Sequence, residues 1–226
     1  SILKKMGDNC RFIVLSDHIA QNASKTIDLN QYNIKTIYYP QIRSTKLFKY
    51  NNENVKFGIF GYGDTKVLYN INLKLLKSNL RSNFEIKIIG MDNRGIEKFP
   101  WMSAPSNRRT LNRNQMEDLL EDIDFLLILY TDDKYNLSCS ASIIEAISYC
   151  KPILHLKNDC ISHFNQKEKI GYQFNNIDLF VEQMERIINN YGEEKIKLKK
   201  FQSNIIKLQK SISVESNLKE FQSIFH

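Results

Sequence analysis

Short apolar runs and amphipathic stretches alternate along the middle of the chain. Five runs have the length and composition of buried strands, at residues 55–60, 84–89, 125–130, 153–156 and 170–174. Three stretches repeat apolar residues at three- and four-residue intervals, as helices with one buried face do, at residues 66–80, 115–123 and 181–188. This alternation predicts an α/β fold with a doubly wound, Rossmann-like parallel sheet, whose ligands bind beyond the carboxyl ends of the strands.

The two ends of the chain carry further predicted elements. Residues 11–15 and 34–39 are predicted strands, and the turn after the first of them holds His18, which is better explained as a capping residue than as a functional one. A long amphipathic helix and a final helix capped by Ser213 are predicted near the carboxyl end. The asparagine-rich stretch at 47–55 marks the main boundary. We therefore expect three parts, which are residues 1–46, 47–192 and 193–226.

The chain is basic, with a net charge of +7 that comes from 32 Lys and Arg residues against 25 Asp and Glu residues. A basic excess is typical of proteins that bind nucleic acid, an anionic membrane surface or anionic substrates. No nucleic-acid motif accompanies it, and the lysines between residues 193 and 210 interleave with apolar residues as on a solvated helix face. Nucleic acid is therefore the least favoured of the three partners.

Other features bear on the cellular compartment. No apolar run is long enough to cross a membrane, and residues 1–6 are too short and too soon charged for a signal peptide. The four cysteines, at positions 10, 139, 150 and 160, lack the spacing of a metal site or a disulfide framework. These observations predict a cytoplasmic protein with reduced thiols, and weak peripheral contact with an anionic membrane surface is a further option.

The most informative stretch is residues 138–154, directly after the predicted strand at 125–130. Small residues lead into a helix in which Ser142 and Glu145 have the spacing of a capping box. A strand, a small-residue turn and an exposed helix N-terminus form a site for a phosphate group. Glu145, one turn into the helix, can accept hydrogen bonds from sugar hydroxyls. At this point capping alone explains Glu145 equally well.

The same stretch resembles the donor-site signature of GT-B glycosyltransferases of the group 1, family 4-like kind. The resemblance lies in Ser142-Ile143-Ile144-Glu145-Ala146 followed by Cys150-Lys151-Pro152-Ile153. It implies that Glu145 binds the ribose of a nucleotide sugar and that amides from Ser140 to Ile143, including Ser142, hold the diphosphate. It also implies that residues 1–46 are the end of an acceptor-side domain, on which the C-terminal helices pack back.

A second candidate region follows the predicted strand at 55–60. Gly61 and Gly63 come directly after it, and glycines there let the backbone approach a ligand closely. Neither the dinucleotide fingerprint nor the P-loop spacing is completed. The resemblance implies that Lys66 contacts the donor phosphates and that Gly90 lies at the same edge of the sheet. Many members of the family carry an arginine where Tyr62 stands here.

One departure from the family pattern concerns the donor sugar. Members that retain anomeric configuration usually carry a carboxylate eight residues before the ribose glutamate, and that position is Leu137 here. Asp132 and Asp133 lie nearby but out of register. Three explanations stay open: the loop is shifted so that Asp133 substitutes, the sugar is held differently, or the domain no longer catalyses transfer.

The leading hypothesis is the donor-binding part of a glycosyltransferase that moves a sugar from a UDP- or GDP-linked donor to a glycan, lipid or other acceptor, as in polysaccharide biosynthesis. The resemblance implies no cofactor and no metal, because basic groups and helix dipoles offset the charge of the leaving diphosphate. A non-catalytic nucleotide-binding or assembly module on the same fold is the alternative. A different small α/β domain, such as a flavodoxin-like one, is a weaker third.

Overall fold

The structure is a computed structural model that describes residues 11–29, 32–39, 50, 53–60, 64–89, 98–104, 111–131 and 134–223. The strands of this described part are β1 Arg11–Val14, β2 Asn33–Thr36, β3 Lys56–Phe60, β4 Glu85–Ile89, β5 Met102–Ser103, β6 Phe125–Ile128, β7 Ile153–Leu156 and β8 Gly171–Phe174. The helices are α1 Asp17–Ala23, α2 Thr65–Leu75, α3 Arg113–Glu121, α4 Ala141–Ser148, α5 Asp159–Lys167, α6 Ile177–Asn189, α7 Tyr191–Ser211 and α8 Val214–Ser223.

The main sheet has six strands in the order β5-β4-β3-β6-β7-β8, and every neighbouring pair is parallel. Every residue of the central strands β6 and β7 is buried, as expected for strands that are covered by helices on both faces. The predicted doubly wound α/β sheet is therefore confirmed. The direction in which strands are added reverses between β3 and β6, and ligands of such sheets bind at this switch point.

Helices pack on both faces of the sheet and form two apolar cores. On one face lie α2, α6 and the first half of α7, represented by Ile71, Met184 and Leu198. On the other lie α3, α4, α5 and the second half of α7, represented by Ile147 and Leu208. Because α2 follows β3 and α4 follows β6, the two helices start on opposite sides of the same switch point. No helix of the described part has the length and hydropathy needed to cross a bilayer.

The N-terminal residues form a separate two-stranded parallel sheet, β1–β2, connected by α1. The prediction of a turn after β1 was wrong, because α1 begins directly at Asp17. The final helix α8 contacts this unit: the Tyr38 amide donates to Asn217 Oδ1 (3.0 Å), and Asn217 Nδ2 donates to the Tyr38 carbonyl (2.6 Å). Ser213 accepts a hydrogen bond from the Ser216 amide (3.2 Å), so its predicted capping role is confirmed.

Candidate functional site

The helix start predicted to hold a diphosphate is α4, which begins one residue after Ser140. Ser140 is fully buried, and its side chain caps none of the amides of the first turn. Its hydroxyl donates instead to the Tyr130 hydroxyl (3.4 Å), and its backbone amide donates to Cys160 Sγ (3.4 Å). The amides of Ala141 and the residues after it are therefore not capped by Ser140, which leaves a positive helix terminus at the edge of the sheet.

Ser142 lies inside the first turn of α4, so the capping box predicted from Ser142 and Glu145 was wrong. The Ser142 hydroxyl accepts a hydrogen bond from the Tyr130 hydroxyl (2.8 Å) and donates to the Phe60 carbonyl (3.2 Å). Phe60 is the last residue of β3, directly before Gly61. The side chain of Ser142 therefore ties the start of α4 to the end of β3, where the second candidate region begins. Ile143, next along the helix, is buried and contributes to the core.

Glu145 has a side chain whose Oε2 is buried and makes no hydrogen bond in the described structure. A buried carboxylate oxygen without a partner is costly, and such atoms are rare in folded proteins. Burial raises the pKa of Glu145, and the nearby Arg113 opposes that effect. Arg113 begins α3 and lies over the ring of Tyr149, 5.3 Å from its centroid. The capping explanation of Glu145 is excluded, since Glu145 does not reach back to a helix-terminal amide.

Lys66 is the second residue of α2, and it is exposed. The carboxylate of Asp64 caps this helix by accepting hydrogen bonds from the amides of Lys66 (2.9 Å) and Val67 (3.1 Å). These amides are already satisfied, so a phosphate at this helix start would meet the Lys66 ammonium rather than the helix amides. The two helix starts at the switch point therefore differ: α2 is capped by a carboxylate, whereas Ser140 leaves α4 uncapped.

The loop that leads from β6 to α4 is held by side chains from α1 and from the residue before α5. His18 Nε2 donates to the carbonyls of Tyr135 and Ser138, at 3.1 Å each, while His18 Nδ1 bonds to Ser16 Oγ (2.8 Å). Two further amides donate to loop carbonyls, Asn22 to Asn136 (3.1 Å) and Asn158 to both Thr131 (2.9 Å) and Lys134 (2.8 Å). The loop is thus preorganised by backbone-directed contacts. The expectation that His18 merely caps a turn missed this role.

Leu137 lies in this loop with 62% of its surface exposed. Its neighbour Tyr135 has a φ of 62°, a left-handed conformation that the surrounding hydrogen bonds support. A cavity of about 460 Å³ opens at the same edge of the sheet, lined in part by Val67 of α2 and Thr131 after β6. Gly61, Gly90, Asp132 and Asp133 lie outside the described residues. The helix starts that carry Lys66 on α2, and Ser140, Ser142, Ile143 and Glu145 on α4, thus both lie at the switch-point edge of the sheet.

Sequence reasoning did not find His18, Asn158, Cys160 or Tyr130 as parts of this region. All four make hydrogen bonds to residues between 10 and 120 positions away in the sequence, and no local pattern records such partners. Asn158 carried a recognisable signal, because an asparagine just after a buried strand and before a helix is a typical N-cap. It does cap α5, by accepting from the Cys160 amide (3.1 Å).

No protein-family model and no curated protein sequence matches the chain. Solved structures do match its fold. A mutant of S. aureus TarM in complex with fondaparinux, α-GlcNAc-glycerol and UDP is 21% identical, with a TM-score of 0.63 over 96% of this chain and 44% of that one. The lipopolysaccharide outer core galactosyltransferase WaaB in its apo form is 17% identical, with a TM-score of 0.64 over 95% and 61% of the two chains. A glycosyltransferase from Rickettsia africae is 13% identical, with a TM-score of 0.70 over 100% and 66%.

This chain therefore spans between 44% and 66% of the length of those three structures. Likeness at such low identity concerns the fold. The resemblance to the C-terminal domain of GT-B glycosyltransferases, read from residues 142–153, is confirmed at that level.

Proposed function

We propose that this chain is the donor-binding part of a GT-B glycosyltransferase and that its donor is a UDP-linked sugar. The observation that carries the proposal is the buried, unpartnered Oε2 of Glu145, one turn into the uncapped helix α4 at the switch point of the sheet. A carboxylate in that position is the acceptor that two vicinal ribose hydroxyls require, and binding would satisfy an atom that the free protein leaves without a hydrogen bond.

The diphosphate would lie over the first turn of α4, with its charge offset by the helix amides and by the ammonium of Lys66. The donor sugar would extend into the cavity between Val67 and Thr131. In the transfer, an acceptor hydroxyl oxygen forms a new bond to the sugar C1 and gives up its proton, while the bond between C1 and the diphosphate oxygen breaks and its electron pair leaves with UDP. Groups that hold the leaving oxygens lower the barrier by stabilising this charge, and no metal ion is part of the proposal.

UDP is favoured over GDP because the S. aureus TarM structure that shares the fold contains UDP. The test is calorimetric titration of the protein with UDP, GDP, ADP and CMP, with Glu182→Gln, an exposed α6 substitution, as a variant that leaves the site intact. We expect UDP to bind most tightly and Glu182→Gln to match the parent protein. Absence of binding by all four nucleotides would overturn the proposal, and preference for GDP would overturn its choice of base.

A second candidate function is nucleotide binding without sugar transfer, and the exposed Leu137 favours it. An apolar side chain at this position offers no hydrogen bond to sugar hydroxyls, and His18 holds the carbonyls of Tyr135 and Ser138 on either side of it. The two candidates differ in one measurement, which is slow hydrolysis of UDP-glucose or UDP-N-acetylglucosamine by the protein. Hydrolysis supports the transferase, and UDP binding without hydrolysis of either donor supports the second candidate.

A further inference from the structure

A cluster of sulfur and imidazole groups lies directly beneath the start of α4. Cys139 directly precedes Ser140, the N-cap residue of α4. Cys160 is the second residue of α5 and is fully buried. Cys160 Sγ accepts a hydrogen bond from the amide of Ser140 (3.4 Å), the residue that follows Cys139. The thiols of Cys139 and Cys160 influence each other's pKa, and His18 also acts on Cys160. The two cysteines therefore lie together where the loop from β6 becomes the helix that carries Glu145.

The surroundings divide the two thiols into a proton donor and a proton acceptor. The interaction with Cys139 holds the pKa of Cys160 below the ordinary value of a thiol, against the opposing effect of burial and with further help from His18 and the Ser140 amide. The same interaction raises the pKa of Cys139. Burial disfavours a charged His18, but its contact with Cys160 and its hydrogen bonds to the Tyr135 and Ser138 carbonyls together outweigh this and raise the pKa of the imidazole. The pair therefore combines one thiol whose pKa is lowered with one whose pKa is raised, and a thiolate is the reactive form of cysteine.

Cys150 provides an internal comparison. It is buried at the end of α4, its thiol donates to the Gln202 carbonyl (3.6 Å), and burial raises its pKa to about 11 while Lys151 opposes that effect. No other cysteine contributes to that shift. Cys139, in contrast, is only partly buried, so a small oxidant can reach it from solvent. Reactivity is therefore expected at the Cys139–Cys160 pair and not at Cys150.

We propose that Cys139 and Cys160 are an oxidisable thiol pair that a hydroperoxide joins as a disulfide, and that this bond closes the diphosphate site at the start of α4. Cys139 passes its proton to Cys160, and the Cys139 sulfur attacks the peroxide to give a sulfenic acid and hydroxide. That hydroxide takes the proton from Cys160, and the Cys160 thiolate then displaces hydroxide from Cys139. With one proton from solvent, the pair and one hydrogen peroxide give one disulfide and two waters.

The disulfide changes the helix start because the two sulfurs must approach to about 2.05 Å. Cys160 then no longer offers a negative acceptor to the Ser140 amide, and Cys139 is drawn toward α5, away from its present place in the loop. The first amides of α4 move with it. This second half of the inference rests on the proposed function, since it assumes that those amides bind the diphosphate, whereas formation of the disulfide does not depend on it.

The first measurement is peptide mass spectrometry of the whole protein after treatment with hydrogen peroxide, with the Cys150→Ser variant as the matched control. We expect a Cys139–Cys160 cross-link that is two hydrogens lighter than the dithiol, equal in parent and Cys150→Ser, and reversed by dithiothreitol. Cys139→Ser and Cys160→Ser should form no cross-link at these positions. The thiol pair is overturned if Cys150 is oxidised as fast as Cys160, or if both members of the pair stay free.

The second measurement is the affinity of the reduced and the oxidised protein for UDP, by calorimetry. Loss of one charge-assisted hydrogen bond weakens binding about tenfold or more, so we expect at least that decrease on oxidation and full recovery with dithiothreitol. A disulfide that leaves the affinity unchanged overturns the closure of the site but leaves the thiol pair standing. Failure of the reduced protein to bind UDP overturns the proposed function instead, and the two failures are therefore distinguishable.

Discussion

Substituting Glu145 by Gln tests whether the unpartnered carboxylate is a ligand group. Glutamine keeps the shape of the side chain and removes only its charge, so packing around α4 is preserved. Because burial raises the pKa of Glu145, the charged form is disfavoured in the free protein, and Glu145→Gln should leave the melting temperature unchanged or slightly higher at pH 7.5. Hydrogen bonds from ribose hydroxyls to a carboxylate are roughly twice as strong as those to a neutral amide. We therefore expect UDP to bind about tenfold more weakly, a loss of about 1.4 kcal/mol.

The assay compares UDP with 2′,3′-dideoxy-UDP in calorimetric titrations of the parent protein, Glu145→Gln and Glu182→Gln. The dideoxy nucleotide lacks the hydroxyls, so it should bind the parent and Glu145→Gln almost equally. Glu182 is an exposed residue of α6, and its substitution should change neither ligand's affinity. Unchanged affinity of Glu145→Gln for UDP, together with a lowered melting temperature, would refute the reasoning, because it would show that the carboxylate stabilises the fold and does not bind the ribose.

The direction of the pKa shift adds a pH dependence to the same experiment. Binding requires the charged carboxylate, and the folded protein holds the pKa of Glu145 above the ordinary value of 4.5. As the pH falls through the raised pKa, the parent protein loses its advantage over Glu145→Gln, and the ratio of the two affinities approaches one. Taking the ratio cancels the titration of the UDP phosphates, which is common to both proteins. Because a pKa above 4.5 leaves more than half of the Glu145 side chains protonated at pH 4.5, a ratio that stays constant down to that pH would exclude a carboxylate–ribose contact.

Three further predictions concern lysines. Lys66→Ala should weaken UDP binding about tenfold by calorimetry and leave uridine binding unchanged, since the ammonium meets only the phosphates; an equal loss for both ligands would point to a disturbed fold. Burial lowers the pKa of Lys151 to about 7, so the unfolded chain keeps the Lys151 proton at higher pH than the folded protein does. In urea unfolding, the free energy of unfolding of the parent should therefore rise by about 2 kcal/mol relative to that of Lys151→Met between pH 7 and pH 9. A difference between the two proteins that does not change with pH would contradict this. The outward face of α7 carries exposed lysines around Ile196, which is itself 75% exposed. The protein should therefore bind phosphatidylserine vesicles at low salt, and this binding should weaken as the Debye length shortens to ~10 Å at 0.1 M salt. No vesicle binding at low salt would mean that Lys199, Lys200, Lys207 and Lys210 serve only as solubilising charge.

The sheet was predictable because its strands are buried on both faces. Residues 125–130 and 153–156 are continuous apolar runs, and such runs mark central strands whatever the surrounding sequence does. Helices with a clear apolar face, α6 and α7 above all, followed from their three- and four-residue spacing. In contrast, α1 has seven residues, of which only His18 is buried, so no apolar period distinguishes it from a turn. The two-residue strand β5 is too short to show alternation.

The start of α4 shows why the candidate site was only partly predictable. Ser142 and Glu145 fit the capping-box spacing, but Ser140 also precedes the helix, and the sequence gives no means to choose between two serines two positions apart. Tertiary contacts decide which of the two serines is the N-cap of α4. The hydroxyl of Tyr130 and the carbonyl of Phe60 hold Ser142 inside the first turn, and this frees Glu145 from any capping role. Because the predicted capping box does not form, the interpretation of Glu145 as a ligand residue is favoured over its interpretation as a helix cap.

The contrast between α2 and α4 constrains how a diphosphate can bind at the switch point. Both helices begin at the carboxyl ends of neighbouring strands, so each terminus alone could attract an anion. At α2 the carboxylate of Asp64 already accepts from two amides, and a phosphate there would have to displace a bound negative charge. At α4 the only described competitor is the sulfur of Cys160, which accepts from Ser140 and leaves the next amides of the turn uncapped. On the proposed function, the phosphates would therefore lie over α4, and the Lys66 ammonium would act on them as a mobile charge and not as part of a helix-terminal cradle.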